Sequence, residues 1–279
     1  MPELIRRCRP LLGTFVEISA DDEAAIDAGF DAVDRVHKLM SAHEPGSDIS
    51  RVNRFGHLRP VQVHDWTVQV INRALFWSKH SEGGFDVLSA GKAAIGSGLL
   101  PRHPDQPQPE GPHWTWIEVQ GASVRLLGPG CIDLGGIAKG FAVDRAVDAL
   151  RAAGCARGLV NAGGDIFAFG PEAWDIEVHD PRTRRAAASV SLHNQGLATS
   201  AGLPDSAGKL SFGHLVQPNC EWISVTAAAD TCTDADALTK ALWSGASNAA
   251  SLLQRAAASA FVITRAGAIR PVEPELEPA

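Results

Sequence analysis

A chain of 279 residues, 45% of them hydrophobic, carries enough apolar material for one large domain with a buried core. Its formal net charge of -7 argues against a nucleic-acid binder, which presents a basic face, yet leaves room for an anionic substrate held locally by glycine turns or a metal. No stretch approaches the ~18 uninterrupted apolar residues of a membrane span, and five scattered cysteines match neither a disulfide framework nor a zinc pattern.

In chain order, Leu12 to Ser19 alternates as a strand, and Asp22 to Ala42 reads as an amphipathic helix with Ile26, Phe30, Val33, Val36, Leu39 and Met40 near one face. A turn follows at Glu44 to Asp48, then a helix over Asp65 to Ser81 with Asp65 as its N-cap. Pro101 to His113 holds five prolines and reads as a surface loop or lid. Strands are expected at Thr115 to Gln120 and Ser123 to Leu127, and a long helix over about Gly136 to Ala153, stopped by Gly154. The second half reads mostly as strands: Gly158 to Asn161, Asp165 to Phe169, Trp174 to His179, Ala187 to His193, Leu210 to Val216 and Trp222 to Ala228. Helices return at about Thr233 to Ser244 and Ala246 to Ala257, and Ala260 to Thr264 closes as a strand. Residues 271–279 form an acidic, proline-rich tail expected to be disordered. The irregular mixture of strands and helices gives a mixed α/β (α+β) class in a single domain over residues 1–270.

Three glycine pairs are each followed closely by a charged residue: Gly83-Gly84-Phe85-Asp86, Gly135-Gly136-Ile137-Ala138-Lys139 and Gly163-Gly164-Asp165. A glycine turn that opens a helix offers free N–H groups to an anion, and equally serves as a tight turn for packing. In the second pair a strand, Cys131 to Leu134, is expected to enter the turn and Lys139 to sit in the first helical turn within reach of a phosphate. Neither a Walker A loop nor a GxGxxG fingerprint is present. Near the C-terminus, Asp236 and Lys240 read either as an i,i+4 surface pair on a helix capped by Thr233, or as a hard oxygen ligand for Mg²⁺ beside phosphates. His214, late in a strand, is either structural or catalytic.

Taken together the segments resemble the ApbE family of FAD:protein FMN transferases over nearly the whole length. In order they are LLGTFVEI from Leu11, MSAHEPGSDISRVNR from Met40, GGFDV from Gly83, IDLGGIAKGFAVDRAVDAL from Ile132, LVNAGGDIFAFG from Leu159, WDIEVHDP from Trp174, LATSA from Leu197, GHLVQP from Gly213 and SVTAAADTCTDADALTKAL from Ser224. The resemblance implies mixed sheets and packed helices around a central FAD cleft. It implies Mg²⁺-dependent attack by a threonine of an acceptor flavoprotein subunit on the FMN phosphorus of FAD, with release of AMP. By position it places Met40, Gly84, Phe85, Asp86, Asp133, Lys139 and Leu215 on the cofactor, the Gly136 carbonyl and Asp236 on the metal, and His214 and Asp236 at the reacting phosphate.

The chain departs from the pattern at three places. The usual threonine ligand four residues after the acid is Lys240 here, with Thr239 one place earlier as its substitute; Gln217 stands for a usual Asp and Phe141 for a usual Tyr. Hydrolysis of FAD to FMN and AMP, and FAD binding without catalysis, are the competing readings. With no leader in the sequence as written, the compartment reads as cytoplasmic, or periplasmic if an export leader has been removed.

Overall fold

The computed structural model describes residues 4–100, 113–204, 210–211, 221–245 and 248–272. The expected segments at 101–112 and 273–279, most of Leu210 to Val216, and the start of the last expected helix lie outside them.

The chain opens with a hairpin of β1 (Ile5–Leu11) and β2 (Thr14–Ala20). There follow α1 (Glu23–Met40), α2 (Asp48–Phe55), β3 (Val61–Gln62), α3 (Asp65–His80) and α4 (Val87–Gly96). A short 3₁₀ turn at Trp114–Trp116 leads into β4 (Ile117–Gln120), β5 (Ser123–Leu126) and α5 (Ala138–Ala152). Then come β6 (Gly158–Ala162), β7 (Asp165–Phe169), β8 (Trp174–His179), β9 (Ala186–Leu192), β10 (Gln195–Ala201), β11 (Leu203–Pro204), β12 (Leu210–Ser211) and β13 (Trp222–Ala229). The chain finishes through α6 (Cys232–Trp243), α7 (Ala249–Arg255), β14 (Ser259–Thr264) and β15 (Ile269–Pro271).

Eight strands make the main sheet in the order β1-β2-β6-β7-β10-β13-β14-β15, and its described pairings are antiparallel. Helix α5 packs against both α1 and α6, and all three lie on this sheet. Their apolar stripes make the main core: α1 buries Ile26, Phe30, Val33 and Val36, and each such side chain contributes about 1.5–3 kcal/mol relative to exposure. A second, smaller core of Ile166, Ala168, Val178, Leu192 and Leu197 joins the main sheet to the separate β8–β9 hairpin. The sheet therefore carries packing on both faces, as its strand β7, buried along its whole length, requires.

Several local expectations are corrected. His64, not Asp65, caps α3, because its Nδ1 accepts from the Trp66 N–H (3.0 Å). Thr231, not Thr233, caps α6. Cys131 to Leu134 is not a strand: the Ile132 N–H goes to Asn53 Oδ1 (2.7 Å) and the Asp133 N–H to the Val87 carbonyl (3.0 Å), so the segment is tied to α2 and α4 instead of to a ladder. Pro271 ends β15, paired with Phe261, and does not begin a disordered tail. Strands β1 and β10 and helices α2 and α4 are additional to the elements expected from the sequence.

Candidate functional site

The junction of α5 with α6 builds the site. Gly140 lies where the two helices cross, and a Cβ there would stand 2.2 Å from the Cys232 carbonyl oxygen, so only glycine permits this approach. At one end of the junction Asp144 of α5 reaches the start of α6. Its carboxylate accepts from the Cys232 N–H (2.8 Å), the Thr233 N–H (2.9 Å) and the Thr233 hydroxyl. These are donors that a helix start leaves without intrahelical partners. Asp234, in the first turn of α6, accepts from Arg73 (2.7 Å) and from the Trp77 indole (2.8 Å), docking α6 against α3.

At the other end lies a four-charge centre. Lys139, in the first turn of α5, pairs with Asp165, the first residue of β7. Lys240 of α6 pairs with Asp236 one turn earlier, and the second oxygen of Asp236 accepts from the Gly140 N–H (3.2 Å). Asp236 is 0% and Asp165 1% exposed, whereas both lysines reach the surface of a cleft. Burial opposes ionisation of Asp236, but the ammoniums of Lys139 and Lys240 outweigh it and hold the carboxyl below its ordinary range. Burial likewise opposes the Lys139 ammonium, and the carboxylates of Asp165 and Asp236 outweigh it, raising the lysine. Asp165 is pushed up, by burial first and by the neighbouring Asp236 second.

The cleft has a volume of about 910 Å³, within the range of nucleotide and cofactor sites. One wall comes from the glycine turns before α4 and α5, including Gly84, Phe85, Asp86, Asp133 and Gly136. The opposite wall comes from the sheet and the β8–β9 hairpin, which adds His179 and Arg184. Asp86 is itself the cap of α4, accepting from the Leu88 N–H (2.9 Å), and also receives the Trp114 N–H (3.1 Å). The Asp133 carboxylate accepts from the Gly135 N–H (2.8 Å), and burial pushes its pKa up. The N-cap of α5, Ile137, makes no side-chain cap bond; the Ala138 N–H goes to the Leu134 carbonyl (2.8 Å) and the Gly140 N–H to Asp236, so at this end it is the Lys139 ammonium that faces the cleft.

The structure thus gathers Gly84, Phe85, Asp86, Asp133, Gly136, Lys139 and Lys240 around one cleft. Met40 is not in its lining; at the end of α1 it belongs to the main core, because the buried stripe of α1 packs on α5 and on β1 and β2. His214, Leu215 and Gln217 lie outside the described residues. Asp165 was visible in the sequence only as the acid after a glycine pair, and its service as the partner of Lys139 depends on the turn between β6 and β7, where Gly163 and Gly164 adopt φ of +66° and +99°. Of the hairpin residues, His179 lies within the WDIEVHDP segment but is not singled out there for the site, and Arg184 carried no sequence signal.

The donor set around Asp236 does not fit a divalent ion as arranged. Both carboxylate oxygens are engaged, one by an ammonium that has no lone pair to offer a metal. Thr239 is fully buried, with its hydroxyl hydrogen-bonded to Ser200 (2.7 Å) and donating to the Asp236 carbonyl (2.8 Å).

The chain is 27% identical over 238 residues to the FAD:protein FMN transferase of Haemophilus influenzae, covering 75% of this chain and 68% of that one. It is 26% identical over 259 residues to the protein of the same name from Treponema pallidum, covering 80% and 72%. Its fold is shared with the flavin transferase ApbE from Vibrio cholerae (TM-score 0.81, 20% identity, 99% and 98% of the two chains) and the ApbE protein from Thermotoga maritima (TM-score 0.83, 23% identity, 97% of each). A family model described as the ApbE family matches residues 12–263, and the chain belongs to that family.

Proposed function

We propose that this chain moves FMN from FAD to a threonine of an acceptor protein and releases AMP. One observation carries the reading: two lysine ammoniums, each anchored by a buried carboxylate, converge on a nucleotide-sized cleft beside the start of α5. The FAD:protein FMN transferases among its relatives support the same conclusion.

In the reaction, the threonine oxygen attacks the phosphorus of the FMN half. The bond from that phosphorus to the bridging oxygen breaks, and this oxygen leaves on AMP. Two phosphates repel a nucleophile, so fixed positive charge must offset theirs, most of all as charge builds on the leaving oxygen. Lys139 and Lys240 supply that charge. Asp165 and Asp236 set the lysines in place before the substrate arrives, so little reorganisation is left for the reaction itself. Asp236, enclosed by Lys240 and the Gly140 N–H, acts here as a positioning residue; by its resemblance to the family, His214 is the residue to take the threonine proton or to stabilise charge at the phosphate. Gly84, Phe85, Asp86 and Asp133 shape the pocket for the nucleotide. Because the donor set at Asp236 does not fit Mg²⁺, no step of this reaction is assigned to a metal.

The test is incubation with FAD and an acceptor domain, in Mg²⁺ and in EDTA. Release of AMP with a flavin-sized mass gain on the acceptor is the expected result. AMP without a mass gain would instead mark a hydrolase, and FAD recovered intact would mark a binding protein.

A further inference from the structure

We infer that Lys240 is a resident cation standing in for a divalent metal on Asp236, so that the chain holds the pyrophosphate of FAD without added metal. The inference rests on the cleft being an FAD site, as proposed above.

Four observations carry it. The Lys240 ammonium sits on one oxygen of Asp236 while the Gly140 N–H holds the other, so each oxygen already has a partner and the cation position is filled by the ammonium. The lysine is packed in place: a Cβ added to Gly136 would lie 3.4 Å from its Cγ and 3.6 Å from its Cε, so its stem runs against the glycine turn. The neighbouring hydroxyl that might have served as a ligand, Thr239, is buried and committed to Ser200 and to the helix backbone. Charge is already balanced, with Lys139 and Lys240 facing Asp165 and Asp236. A divalent ion at Asp236 would have to expel an ammonium from a buried carboxylate or sit beside it against like-charge repulsion. An ammonium meets the same need at a diphosphate, as a compact point charge with three donors.

The experiment is titration of the full chain with FAD, followed by flavin fluorescence, in EDTA and in excess Mg²⁺. Wild type is expected to bind with the same affinity in both, within about threefold. Lys240→Thr is expected to lose roughly tenfold or more in EDTA, the scale of one charged hydrogen bond, and to recover with Mg²⁺. Lys240→Arg, which keeps the cation, is expected to bind without metal. Wild-type binding that requires Mg²⁺ overturns the inference while leaving the FAD site intact, and needs no variant to be read. A Lys240→Thr protein that binds as tightly as wild type in EDTA also overturns it. Absence of FAD binding under both conditions overturns the site assignment and the inference together.

Discussion

The two ends of the α5–α6 junction use the same residue types for opposite purposes. At the Asp144 end a buried carboxylate meets backbone N–H groups and a threonine hydroxyl, and it ties one helix to the next. At the Lys139–Lys240 end buried carboxylates meet flexible cations whose far side opens on a cleft. Backbone donors cannot leave, so the first arrangement is a fixed tether. Ammoniums can take a second partner, so the second is ready for an anion. Burial of an acid is therefore no guide to its role; the identity of its donors, and what lies beyond them, is.

Substitutions can break or sharpen this contrast. The largest effect is expected from Lys139→Ala, which removes a preorganised charge and should lower FMN transfer by roughly 100-fold or more in a single-turnover assay. Retained transfer would place the reacting phosphates elsewhere. Gly140→Ala should damage both ends at once, because the new methyl collides with the Cys232 carbonyl; a loss of about 1–3 kcal/mol is expected in urea denaturation, together with weaker FAD binding. Asp144→Ala should separate the two ends, costing about 1.5–3 kcal/mol of stability while changing FAD affinity by less than about threefold. A comparable loss of affinity and stability would erase the distinction.

The smallest effect is in pH dependence, where the two acids differ in sign. Burial pushes Asp144 up to about 6 despite its bonds to Thr233 and Cys232. Its titration therefore favours the folded state most below the ordinary carboxyl value, and that contribution is lost as pH rises through about 6. Asp236 is lowered, so its contribution is present above the ordinary value and lost as pH falls through the folded value. The stability difference between wild type and Asp144→Asn should thus shift in favour of wild type as pH falls from about 6 to about 4, read by urea denaturation at each pH. A difference that does not change with pH would mean that Asp144 titrates normally.

Elements whose stabilising contacts are local, or repeat with a clear period, were legible in the sequence. Helices α1, α3 and α5 show apolar stripes, and β7 and β8 were located to the residue. β1 was hidden because its interior residues are exposed on both faces, leaving no alternation to read; pairing with β2 alone makes it a strand. α2 and α4 are short and rely on tertiary anchors, Asn53 binding Ile132 and Asp86 receiving Trp114. β10 offers small residues that become a strand only between β7 and β13.

By itself the sequence determined the family, the mixed helical and strand composition, and the glycine turns with Lys139 beside them, since these are matters of order and spacing along the chain. Tertiary structure alone decided that Asp165 serves Lys139, that Asp144 anchors α6, that Met40 belongs to the core and that both oxygens of Asp236 are engaged. The reason is physical: Lys139 with Asp165, the Gly140 N–H with Asp236 and the Cys232 N–H with Asp144 join residues 26 to 96 positions apart, a distance that no local pattern encodes, whereas Lys240 on Asp236 is an i,i+4 pair.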